Sequence, residues 1–281
     1  MIYRQGFIVE LTYEGSVTGN PGMQPVSRRY SRLIALTGLT PAALATLTTR
    51  VAAAQPAATG GPWRLTLPDR VLLITAGLRT NLTTQALAAV FGISQSMTVR
   101  IQRHLLPVLA GLPQPRTHPS HGRRCIWVLD GTLIPVHDQQ RAAVSKNYRR
   151  SVNVQLVIRR CDRAVIAAGT AWPGNRNDIV VARARHGVLL ADPPRQVLVD
   201  GGCRSLPGVT GPTRDPHARI IRDGAWRRHR RRRAAVEHVI ARLKDWQILR
   251  QCRRPGRGID IAVAAVTAIY NHRLDHLRLN S

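Results

Sequence analysis

Three acidic side chains stand where carboxylates are out of place. Asp130 interrupts the apolar run IWVLDGT, and Asp200 ends QVLVD just before Gly201 and Gly202. An aspartate in a buried strand is disfavoured on both propensity and solvation grounds. Glu237 is singled out by count. The other two glutamates, Glu10 and Glu14, lie near the start, so Glu237 stands alone in the arginine-rich RRHRRRRAAVEHVIARLKDW. Converging carboxylates suit two-metal chemistry on phosphodiesters, in which they bridge cations about 4 Å apart that stabilise the attacking and leaving oxygens. Taken singly, each has a plainer reading: a capped strand end for either aspartate, and for Glu237 an ion pair with Arg233 one helical turn earlier. Taken together, the catalytic reading is favoured.

The elements that must position these groups follow from the texture of the second half. CIWVLDGTLIPV, SVNVQLVIRRC and AVIAAGTAW read as three successive strands. NDIVVARARHGVLLA reads as a helix, RQVLVD as a fourth, buried strand, and Trp226 to Trp246 as a long basic helix. This β-β-β-α-β-α order is that of a ribonuclease H-like α/β domain, expected over 123–281. In such a sheet the first and fourth strands are neighbours, which sets Asp130 against the end of the strand carrying Asp200. On the last helix Arg233, Glu237, Ile240 or Ala241, and Lys244 share one face. Asp178, after Asn177 at a helix start, reads as an N-cap.

Upstream, residues 27–110 read as all-helical, with two short helices broken at Gly38, Thr40 capping the second, and a linker over 52–62. Leu67 to Leu78 forms a further helix. A helix-turn-helix is expected at 83–104: Ala88 allows close crossing, Gly92 supplies the turn, and Leu87, Phe91, Ile93 and Ile101 point inward. That places Gln95, Ser96, Arg100 and Arg103 on the helix entering the major groove. A plain helical hairpin is the alternative. Residues 1–26 read as a loosely ordered leader and 111–124 as a second boundary.

Composition narrows the partners. Of 281 residues, 44% are hydrophobic, enough for a real core, while 42 Lys and Arg against 15 Asp and Glu give a formal charge of +27. Such a surface repels itself unless a polyanion is present, so nucleic acid is the expected partner. No apolar run approaches the roughly 18 residues of a membrane span. The first residues lack a signal-peptide pattern, so a cytoplasmic protein is expected. Cys125, Cys161, Cys203 and Cys252 form no C-x-x-C pair and read as buried free thiols. The ten histidines show no metal spacing. Trp127, Trp172, Trp226 and Trp246 read as core, with stacking on an unpaired base as the alternative for Trp226.

Arg233, Glu237 and Lys244 match, position for position, the R-x3-E-x6-K part of the C-terminal signature of bacterial insertion-sequence transposases of the DDE superfamily. LDGTLIPV, NYRRSVNVQLVI, AWPGNRND and LVDGG resemble the branch related to Harbinger-type transposases. Arg230 stands where the family usually has tyrosine, Asn177 where the branch commonly has histidine, and Cys203 and Arg204 follow the glycines where an aromatic is frequent. The resemblance covers about residues 65–275. It implies DNA cleavage at element ends and 3′-hydroxyl strand transfer, with two Mg²⁺ or Mn²⁺ ions. Asp130 would bridge both ions, Asp200 and Glu237 would each hold one, and Arg233 and Lys244 would contact phosphates. Synapsis of two ends implies a homo-oligomer on DNA. A non-catalytic DNA-binding protein and a nuclease that only hydrolyses are the alternatives.

Overall fold

Side-chain caps start the helices of the N-terminal half. In α1 (Pro41–Ala54), α2 (Leu67–Thr80), α3 (Thr84–Phe91) and α4 (Gln95–Ala110), the hydroxyls of Thr40, Thr66, Thr83 and Ser94 accept the N–H three residues on. Each such cap is worth about 1 kcal/mol. α1 runs on to Ala54, into the segment expected as linker. The computed structural model describes residues 25–57, 61–113, 125–144, 149–190, 196–203 and 205–279, with only the backbone for 185–189. Nearly all of the expected leader and most of the 111–124 boundary lie outside the described residues.

The expected helix pair is α3 and α4. Gly92 takes a left-handed φ of 61°, and Ile93 N–H closes the turn on Ala88 O at 3.0 Å. Leu87, Phe91, Ile93 and Ile101 are buried. A 3-10 helix, Arg28–Thr37, lies against this pair: the Tyr30 ring sits 5.0 Å from that of Phe91, and its hydroxyl donates to Phe91 O at 2.6 Å.

Beyond residue 125 the chain builds one mixed sheet. Its strands are β1 (Trp127–Pro135), β2 (Ala143–Val144), β3 (Arg150–Arg159), β4 (Val165–Ala168), β5 (Trp172–Pro173), β6 (Val197–Leu198) and β7 (Val209–Thr210). The order is β2-β3-β1-β6-β7, with β4 and β5 also pairing β3. β1 is antiparallel to β3 and parallel to β6. Helices α5 (Asp178–Leu189), α6 (Gly224–Leu243) and α7 (Gly258–Leu279) complete a ribonuclease H-like α/β arrangement. The expected third strand is split into β4 and β5, and the expected fourth shrinks to β6. β2, β7 and α7 are additions.

Alternation along the strands separates two faces. Leu129 and Val157 pack with Ala182 of α5, whereas Val128, Ile134, Val154 and Leu156 pack toward α6 and α7. The second core is continuous from Tyr30 to Tyr270, because α7 packs against α1 and α4 as well as β4. Asn271 fastens α7 to β4, accepting from Val165 N at 2.9 Å and donating to Val165 O at 2.7 Å. His272 meets Ala43 O of α1 at 2.7 Å.

The cysteine expectation needs correction. Cys125 and Cys161 form a disulfide, because pairing of β1 with β3 brings together residues 36 apart in sequence. Only Cys203 and Cys252 are free and buried. Trp127 and Trp246 are core, as expected, but Trp172 and Trp226 are half-buried. Among the described residues, no helix is long and apolar enough to cross a membrane.

Candidate active site

Strand register brings the two aspartates level. Val128 pairs with Leu198 in the parallel β1–β6 ladder, and Asp130 and Asp200 each lie two residues further on. Asp130 Oδ1 accepts Gly131 N–H at 3.0 Å, and Oδ2 receives Arg233 Nη2 at 3.0 Å. Burial pushes the Asp130 carboxyl above its ordinary value; Arg233 and the Gly131 N–H oppose this, while the charges of Asp200 and Asp178 add to it. Asp200 sits at a turn, its Oδ1 accepting the N–H groups of Gly202 and Cys203, both at 3.0 Å. The Cys203 thiol is pushed up to about 12, first by burial and then by Asp200, so it stays protonated beside the carboxylates.

Helix α6 carries the rest of the site. Asp223 caps its start by accepting Trp226 N–H at 2.8 Å, and Val236, Val239 and Leu243 are its buried side. His229 Nε2 lies 3.0 Å from Val199 O, next to Asp200. Burial, with Arg233 and Arg232, lowers the His229 pKa against the raising effect of that hydrogen bond, which suits a neutral ring donating to the carbonyl. Arg233 reaches Asp130, so the ion pair with Glu237 that the sequence allowed is not what forms. Glu237 is exposed, one turn beyond Arg233. Lys244 is half-buried, its pKa lowered by burial and then by Arg250. With Arg149 and Arg250 it lines an open groove of about 620 Å³ at the far end of β1.

Asp178 was expected to be an N-cap and is not. It is the first residue of α5, and its Oδ1 accepts Asn153 Nδ2 at 2.6 Å, while Gln155 Nε2 donates to its backbone carbonyl at 2.6 Å. Its bond to the strand, rather than the helix end, therefore orients it, on the β3 side of Gly131 and within range of Asp130's charge. The signal was legible in SVNVQLVI, where two amides, Asn153 and Gln155, on one face of an apolar strand require polar partners.

The residues expected to read DNA divide. Gln95, Ser96 and Arg103 are exposed on α4. Arg100 is half-buried: its guanidinium lies 4.1 Å from the Trp63 ring centroid and donates to Gly61 O at 2.5 Å, which sets it apart from the other three. Trp63 attracts it because the indole face is electron-rich, with Arg70 also near that ring at 4.5 Å.

Asp130, Asp200, Asp178 and Glu237 offer only hard oxygen donors, and a buried carboxylate with carboxylate neighbours favours a cation. The Arg233 guanidinium already takes that part at Asp130. The donor chemistry fits Mg²⁺ or Mn²⁺. As the side chains stand, no three acidic, histidine or cysteine groups among the described residues form a ready metal cluster.

A ribonuclease H-like sheet with level aspartates, joined to a helix-turn-helix, defines a class of DNA endonuclease. Residues 129–271 match the family described as DDE superfamily endonuclease, and 63–115 match the helix-turn-helix of DDE superfamily endonuclease. The chain belongs to this superfamily, as a bacterial insertion-sequence transposase. Over 217 residues it is 39% identical to a Streptomyces albus G protein described as a transposase for insertion sequence element IS112, covering 75% of this chain and 82% of that one. Endonucleases of this superfamily are typically metal-dependent.

Proposed function

We propose that this transposase cleaves one strand at each end of its element and joins the freed 3′-hydroxyl to target DNA, with Asp130, Asp200 and Glu237 as the metal-holding carboxylates. The observation that carries the reading is the β1–β6 register, which levels Asp130 with Asp200 on neighbouring parallel strands. The ions, when bound, supply an activated water or hydroxyl nucleophile and offset charge on the phosphate. Asp130 would hold both ions, Asp200 and Glu237 one each. Arg233 compensates Asp130 and stands within a side chain's length of a phosphate placed there. The groove of Arg149, Lys244 and Arg250 extends the cationic surface away from the carboxylates. Two ends held together call for at least two copies of the chain on DNA.

Asp130→Asn, Asp200→Asn and Glu237→Gln should each abolish Mg²⁺-dependent cleavage of labelled end DNA while retaining binding. Near wild-type turnover in any one variant removes that residue from the site. Joined products in the same reactions separate transposition from hydrolysis alone, and a wild-type protein that binds without cutting is a DNA-binding protein only. One observation favours a second reading of the third carboxylate: Asp178 lies beside Gly131 and raises the Asp130 pKa, whereas Glu237 is exposed on α6. Loss of cleavage in Asp178→Asn with survival in Glu237→Gln would move the assignment.

A further inference from the structure

A second cavity, of about 200 Å³, opens at the start of α6. Trp226, Leu198 and Pro212 give it apolar walls, Gln196 and Thr213 bring hydrogen-bonding groups, and Arg232 stands at its side. Trp226 is half-buried, so its ring is neither sealed in the core nor spread on the surface. Arg222 and Arg230 flank that ring, 5.8 and 5.6 Å from its centroid. A cavity lined by Arg228 and Arg232, with Arg222 and Arg230 beside its tryptophan, repels metal cations and basic peptides. It suits a flat, neutral, polar-edged group attached to an anionic chain.

We propose that this cavity receives one unpaired base of the DNA held at the carboxylates, stacked on Trp226, with the surrounding arginines on its flanking phosphates. The placement supports it. Trp226 precedes Arg233 by seven residues, about 10 Å along a helix rising 1.5 Å per residue. DNA stacks bases about 3.4 Å apart along one strand. For a strand lying along α6 at that spacing, the base would be about three nucleotides from the phosphodiester beside Asp130. A cavity of about 200 Å³ leaves room for one base. Extruding a base costs stacking, and an aromatic platform returns it without regard to sequence. The proposal rests on the reading that the cleaved phosphodiester lies at Asp130.

The test uses the full chain without divalent ions and two duplexes, one perfect and one carrying a single bulged 2-aminopurine. The wild-type protein should bind the bulged duplex roughly five- to a hundredfold more tightly, the span one stacked base supplies, and should quench its emission. Trp226→Ala should bind both duplexes alike and leave the probe bright, while Trp226→Phe keeps most of the preference. Should Trp226→Ala fail to fold, Ala225→Leu fills the cavity from the exposed side of α6 and should give the same loss. No preference in the wild-type protein, or an undiminished one in the folded variant, overturns the proposal. Cleavage is not read in this experiment, so a bulge preference beside absent Mg²⁺-dependent cleavage sinks the catalytic reading alone.

Discussion

Asp130 is held in two opposed ways, and the balance has a measurable sign. Burial favours its neutral form more than Arg233 and the Gly131 N–H favour its charged form, so its folded pKa lies above the unfolded value of about 3.9. A carboxyl raised in this way contributes stability that is full below the unfolded pKa and is lost as pH rises through the folded one. In metal-free buffer Asp130→Asn should therefore be more stable than the wild type at neutral pH. The difference should vanish toward about pH 4. Thermal denaturation in chelator across pH 3–8 checks this. A variant less stable at pH 7 would show that the Arg233 pair outweighs desolvation, as loss of one partner of a buried pair can. Divalent ions should reverse the order, because they reward the ionised carboxylate that asparagine lacks.

Helix α4 gives the clearest division of labour at the scale of an element. Gln95 and Arg103 are exposed, whereas Arg100 braces Trp63 against the helix. Replacing Gln95 and Arg103 with alanine should reduce discrimination between end DNA and random DNA by about 1–3 kcal/mol for each base edge no longer read. Arg100→Ala should leave discrimination intact and lower stability by about 1 kcal/mol. Competition binding beside thermal denaturation separates the two effects, and loss of discrimination in Arg100→Ala would return that residue to the base readers. The Arg100–Trp63 contact was not legible in the sequence, because helical spacing fixes which face a residue occupies but not which residue 37 positions earlier has packed there. The same limit explains Asp178, whose partner Asn153 lies on another element. Asp130 and Asp200 were placed correctly because strand order alone determines their neighbourhood. Helices α3 and α4 were legible because Thr83, Gly92 and Ser94 are local signals, while α7, apolar along much of its length, gives little periodicity to read.

For the whole molecule, charge governs binding. With a formal charge of +27, an interface covering about six phosphates predicts a slope near −5 in log affinity against log salt. A flat response in binding titrations across salt would remove nucleic acid as the partner of this surface. The Cys125–Cys161 bond spans 36 residues of chain, and its loss should cost about 3–4 kcal/mol on chain entropy. Denaturation with and without reductant, beside the Cys125→Ser and Cys161→Ser double variant, checks that figure, and equal midpoints would show that the bond contributes nothing. The packing of α7 against α1, α4 and β4 bears on a different property. If α4 reads DNA and the carboxylate-bearing sheet cuts it, as proposed, the core they share makes the span between them a fixed calibre. Sliding the recognised bases by one pair displaces them about 3.4 Å and turns them by about 35°, and a rigid gauge follows neither change. On the proposed reading the cut would be located by measurement from the read sequence, with the bases between the two marks free to vary.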